Sequence, residues 1–210
     1  MIHIQKNSEQ AMIVLHEIYG INRHMEDVCR SLSHRGFDVI CPNLLNQEKP
    51  FDYMEEKAAY LHFMENVGFA GAARKIKVLI CHLKDQYQKI ILVGFSVGAT
   101  LAWLCSEEKH VSGVVGYYGS RIRDYLDISP ACPAMLFFPE KEKSFDVDEI
   151  IAVLEAKSVK AFKLKGAHGF SDPYSVNYNS DSSQIAYEEM MDFLKQWRMV
   201  EKIEQVTLSD

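Results

Sequence analysis

Residues 94–98 read Gly-Phe-Ser-Val-Gly and directly follow the apolar run Lys89-Ile-Ile-Leu-Val93. At the end of a buried strand, a Gly-x-Ser-x-Gly segment turns tightly into a helix and pushes the serine hydroxyl clear of the backbone. The helix opening at Val97 would aim unpaired N–H groups and its positive end at charge developing near Ser96. A serine hydroxyl is a weak nucleophile at neutral pH, so acyl-transfer chemistry here needs a base and a group to orient it. His168 is the best placed of the eight histidines, in Lys165-Gly-Ala-His-Gly-Phe170 just past the expected strand Val159–Leu164. The acid is less sharply defined. Glu140, Glu142, Asp146 and Asp148 all follow the run Pro133–Phe138. Asp146 and Asp148 suit the cap and first turn of a helix opening near Val147, and Glu140 suits a solvent position, which leaves Glu142 favoured.

His16 and Glu17 follow another apolar run, Ala11–Leu15. The run leading into His16 suggests a structural position for it. Glu17 reads either as a solvent-facing loop acid or as a polar partner of the nucleophile. His24, His34, His62, His82 and His110 fall on expected helices or a helix end and read as solvated. No HExxH or HxH spacing occurs, so no metal site and no cofactor is expected. The five cysteines lack CxxC spacing and read mainly as buried small hydrophobes in a reducing compartment.

The elements that must position these groups alternate. Strands are expected at Ala11–Leu15, Phe37–Cys41, Lys89–Val93, Val111–Tyr118, Pro133–Phe138 and Val159–Leu164. Helices are expected over Asn22–His34, two segments between Tyr53 and Tyr87, Ser96–Glu107, Asp146–Ala156 and Ser182–Trp197. Continuous apolar strands separated by amphipathic helices imply an α/β fold, a mostly parallel sheet covered on both faces. Sites in such sheets lie at the carboxyl ends of the strands, where Glu17, Ser96, the acid and His168 all fall. With 210 residues, 48% of them hydrophobic, the chain suits a single domain over 1–198 and a C-terminal tail over 199–210. The net charge of −6 and the lack of a basic cluster argue against nucleic acid. No run reaches the length of a membrane span and the first ten residues lack a signal-peptide core, so a cytoplasmic protein is expected. Only Asn46–Gly68 departs from the regular pattern, which leaves little or no lid and an open pocket.

The order serine, acid, histidine is that of α/β-hydrolases. More specifically, His16-Glu-Ile-Tyr-Gly-Ile-Asn22, Gly94-Phe-Ser-Val-Gly98, Gly116-Tyr-Tyr-Gly119 and Gly166-Ala-His-Gly-Phe170 resemble the dienelactone hydrolase family, from about Ala11 to Trp197. The resemblance implies a triad of Ser96, Glu142 and His168, with Pro139-Glu-Lys-Glu142 standing for the family's Gly-x-x-Asp. It also implies an oxyanion hole from the N–H groups of Ile18 and Val97, and a Glu17 that contacts the nucleophile at rest. Two departures matter. Serine replaces the nucleophilic cysteine of the founding members, which implies esterase chemistry. Asp172 stands where those members carry a substrate-binding arginine, which argues against an anionic lactone, dienelactone included. The expectation is a serine hydrolase of a small ester, thioester or lactone, with Tyr19, Tyr117, Tyr118 and Phe170 at strand ends to line its pocket. The alternative is a non-catalytic relative that binds a small ligand or a protein partner. Nothing in the sequence sets the oligomeric state.

Overall fold

The computed structural model describes residues 1–142 and 144–207, and for 196–207 only the course of the helix. Seven strands form one sheet: β1 (Ile2–Ile4), β2 (Gln10–Leu15), β3 (Asp38–Cys41), β4 (Lys89–Phe95), β5 (Gly113–Tyr117), β6 (Ala134–Lys141) and β7 (Lys160–Ala167). Their order is β1-β3-β2-β4-β5-β6-β7, with β1 antiparallel to β3 and every other pair parallel. The edge strand β1 has no counterpart among the expected elements. Its three residues alternate polar and apolar, too short a pattern to separate from a loop. Six helices complete the fold: α1 (Arg23–His34), α2 (Glu56–His62), α3 (Phe69–Leu83), α4 (Val97–Leu104), α5 (Val147–Glu155) and α6 (Ser180–Thr207). Short 3-10 segments at Tyr53–Glu55 and Ser120–Tyr125, and a π turn at Phe63–Val67, fill the connections.

The two-residue period of the strands splits the core. Ile13, Leu15, Ile40, Leu92, Val114, Leu136 and Phe138 face one side, packed with apolar residues of α3, α4 and α5. Met12, Val14, Val39, Ile91, Val93, Val115 and Phe137 face the other, packed with α1 and α6. Both faces are buried, so these strands read as unbroken apolar runs. The Asn22 side chain caps α1 by accepting from the Met25 N–H at 3.1 Å. The helix expected to end at Trp197 continues to Thr207, because no glycine or proline interrupts it there. The expected tail is therefore helical over most of its length, and its last three residues lie outside the described ones. Among the described residues, no helix is long and apolar enough to cross a membrane.

Candidate active site

Strand register explains how residues far apart in sequence meet. Leu15 pairs with Gly94, and Phe95 with Tyr117, so Glu17, Ser96 and Tyr118 emerge together at the carboxyl edge of the sheet. Between β6 and β7 the register slips. Pro139 pairs with Leu164 and Lys141 with Ala167, so two steps on β6 span three on β7. That irregularity lets Glu142 and His168 leave the sheet side by side.

Ser96 takes φ +54° and ψ −115°, a backbone conformation that L residues rarely adopt. The turn is possible because its flanking residues are glycines. A Cβ on Gly94 would lie 2.2 Å from the Gly98 carbonyl oxygen, and one on Gly98 would lie 2.1 Å from that of Leu15. The Ser96 hydroxyl lies 2.8 Å from His168 Nε2. His168 Nδ1 lies 3.0 Å from Glu142 Oε1. An ionised carboxylate can only accept, so Nδ1 carries the hydrogen and Nε2 accepts from the serine. The Glu142 side chain is 8% exposed, whereas His168, at 38%, is open to the cleft. The other acids lie elsewhere. Asp146 caps α5 through the Asp148 N–H, Asp148 pairs with Lys163, and Glu140 is exposed. The Val97 N–H opens α4 and has no carbonyl of an earlier helical turn to bond. Ile18 lines the cleft beside Ser96.

The cleft over Ser96 and His168 has a volume of about 490 Å³. Tyr19 lines it as expected and packs against Tyr53, ring centroids 4.8 Å apart. The other three aromatics do not line it. Tyr118 and Phe170 are fully buried beneath the site, Tyr118 against the His168 ring at 5.0 Å and against Phe170 at 5.3 Å. Tyr117 is buried in the same core cluster, stacked on Phe95 at 4.7 Å and edge-on to Tyr118 at 6.3 Å. Tyr118 lies just past β5 with φ +44°, outside the strand's alternation, and its ring joins that of Tyr117 in the core beneath the cleft. The segment around Tyr53, Met54 and Glu56 supplies a wall instead.

Glu17 also departs from expectation. It makes no hydrogen bond to Ser96, whose hydroxyl is taken up by His168; it accepts from the Tyr118 hydroxyl at 2.8 Å. Burial pushes its carboxyl above the usual carboxylate range, partly offset by His24. His24 is not solvated. It is buried, edge-on to Phe95, with Nδ1 3.6 Å from Asp172 Oδ2. Asp172 in turn accepts from the Tyr53 hydroxyl at 2.5 Å and the Tyr174 N–H at 2.8 Å. Sequence reading missed His24, Tyr53 and Tyr174. Their only signal was Asp172, an unexpected charge at a position that then proved buried. His16 is structural, as its strand suggested. Its Nδ1–H donates to the Glu17 carbonyl at 2.7 Å, and Nε2 accepts from the Leu44 N–H at 2.9 Å. Burial lowers its pKa to about 4.

A parallel sheet with this strand order, a serine on the turn after β4 and a histidine after β7 define a hydrolase of the α/β-hydrolase type. The chain belongs to the dienelactone hydrolase family, which it matches over residues 1–198. Membership makes the chain a hydrolase. The uncharacterised Bacillus subtilis protein YczH is 43% identical over 171 residues, covering 80% of this chain and 84% of its own. The carboxymethylenebutenolidase of Pseudomonas putida is 25% identical, covering 87% and 84%. Among solved structures, the dienelactone hydrolase-like promiscuous phosphotriesterase P91 from metagenomic libraries superposes with a TM-score of 0.72 at 14% identity, covering 90% of this chain and 87% of that one. At that identity the likeness concerns the fold.

Proposed function

We propose that the protein is a serine hydrolase that cleaves small esters, thioesters or lactones through an acyl-enzyme on Ser96. The observation that carries this reading is the placement of His168 between Ser96 and Glu142, within hydrogen-bond reach of both. Ser96 Oγ attacks the carbonyl carbon while His168 Nε2 takes the hydroxyl proton. The carbonyl oxygen gains negative charge, which the N–H groups of Ile18 and Val97 stabilise. Glu142 stabilises the imidazolium and holds its tautomer. His168 then gives the proton to the leaving oxygen or sulfur as the carbon–heteroatom bond breaks. Water, deprotonated by the same nitrogen, releases the acid and restores the serine.

The cleft also bears on substrate charge. Among the described residues, Glu17, Glu56, Glu142 and Asp172 line it against a single lysine, Lys141. An anionic substrate would meet repulsion there, so a largely uncharged one fits best. Its volume suits short acyl groups. Labelling with a fluorophosphonate tests the mechanism: native protein should be modified stoichiometrically at Ser96 and Ser96→Ala not at all. Native protein that stays unlabelled and turns over no p-nitrophenyl acetate would refute it.

A further inference from the structure

Behind the Ser96–His168–Glu142 chain lies a second group of ionisable side chains that the proposed hydrolysis does not use. Glu17 follows β2, His24 sits in the first turn of α1, and Asp172 follows β7. They are 5%, 3% and 1% exposed, and one potential ligand atom from each lies within 4.8 Å of the others. Two carboxylates buried together need a positive counter-charge. Neither pairs with lysine or arginine among the described residues. Tyr118 and Tyr53 donate hydrogen bonds to them but bring no charge.

His24 Nδ1 is the telling atom. It is buried with no hydrogen-bond partner, and it faces Asp172 Oδ2 across 3.6 Å. That is longer than a hydrogen bond. It is close to the roughly 3.4 Å that separates two ligands on a tetrahedral zinc ion with bonds of about 2.1 Å. We propose that Glu17, His24 and Asp172 form a binding site for a divalent metal ion of the zinc class, with one position open to the cleft. Glu17 and Asp172 both line that cleft, which gives the ion its way in. Glu17 must swing inward slightly to complete the set. The phenols of Tyr118 and Tyr53 and the Tyr174 N–H already orient the carboxylates, as outer partners of metal ligands do. An imidazole with two carboxylates favours Zn²⁺ over Mg²⁺ or Ca²⁺, which prefer oxygen alone. The three residues lie too far apart in sequence to make a recognisable spacing.

The test uses the full chain, stripped with EDTA, re-exposed to Zn²⁺ and desalted. Elemental analysis should find one zinc per chain, and Zn²⁺ should raise the melting temperature where Mg²⁺ does not. Co²⁺ in its place should give visible d–d absorption without a thiolate charge-transfer band. His24→Gln should weaken binding by about a hundredfold or more, and Tyr53→Phe by about tenfold. Ser96→Ala and Cys81→Ser should bind like the parent, which separates this site from the hydrolytic one and from the exposed cysteine. If the parent takes up neither Zn²⁺ nor Co²⁺ stoichiometrically, the proposal is overturned. Equal binding by His24→Gln and the parent would also overturn it.

Discussion

Replacing Glu142 by glutamine tests which of the four candidate acids orients His168. The change keeps the side-chain shape and removes one negative charge from beside His168 Nδ1, now 3.0 Å from Glu142 Oε1. When His168 takes the serine proton, the new imidazolium and the carboxylate lie about 4 Å apart, centre to centre. At an effective dielectric of about 20, such a pair is worth about 4 kcal/mol. His168 is partly exposed and Glu142 is not, so water screens part of that interaction. About 3 kcal/mol remains, close to a hundredfold in rate. The loss should fall on kcat, because the charge pair exists only once the proton has moved. Steady-state hydrolysis of p-nitrophenyl acetate measures it. Asp146→Asn and Glu140→Gln are the controls, and each should stay within about twofold, since Asp146 serves the α5 cap and Glu140 faces solvent. A larger loss in either control than in Glu142→Gln would refute the assignment and the register argument behind it.

Two further outcomes concern the frame. Gly98→Ala puts a methyl group 2.1 Å from the Leu15 carbonyl oxygen, so the turn or β2 must shift, and urea unfolding should show a loss of about 3 kcal/mol. His16 makes the protein acid-sensitive: its pKa is about 4 in the fold against 6.5 in the unfolded chain. Between those values only the unfolded chain binds the proton. Its contribution is therefore intact above pH 6.5 and falls as the pH drops, by about 3 kcal/mol in total near pH 4. His16→Asn should flatten that slope in urea titrations between pH 7 and 4, and an unchanged slope would assign the acid sensitivity to other groups.

Much of the frame was legible because both sheet faces are covered. Burial on two sides makes β2 to β6 read as largely apolar runs, and a run that ends in a polar residue marks the carboxyl edge where sites form. Ser96 could be found that way, and His168 by its glycine-flanked place past an expected strand, although β7 carries three lysines and is mostly exposed or half-buried. β1 could not, since a three-residue edge strand leaves no periodic trace. Tyr118 and Phe170 were misplaced because a strand-end position does not say whether a ring faces the cleft or the core beneath it. His24 was missed for a related reason. It neighbours Met25 on α1, and helical periodicity alone gives adjacent residues different faces. Phe95 at the end of β4 and Asp172 after β7 cover the face that carries His24, and neither can be placed against it from α1 alone.

The acid shows where one-dimensional reading stops. Glu140 near the end of β6 and Glu142, Asp146 and Asp148 after it are the four candidate carboxylates, and no local pattern separates them decisively. What selects Glu142 is a property of two strands at once, the slip that pairs Lys141 with Ala167 after Pro139 has paired with Leu164. Without the extra residue on β7, His168 would leave the sheet one position out of step with Glu142. Because side-chain direction alternates along a strand, such a step would turn the imidazole away from the acid. The irregularity therefore fixes which glutamate meets the histidine. Deleting one residue from Lys165–Ala167 should separate Glu142 from His168 even though every chemical group of the triad remains in the chain.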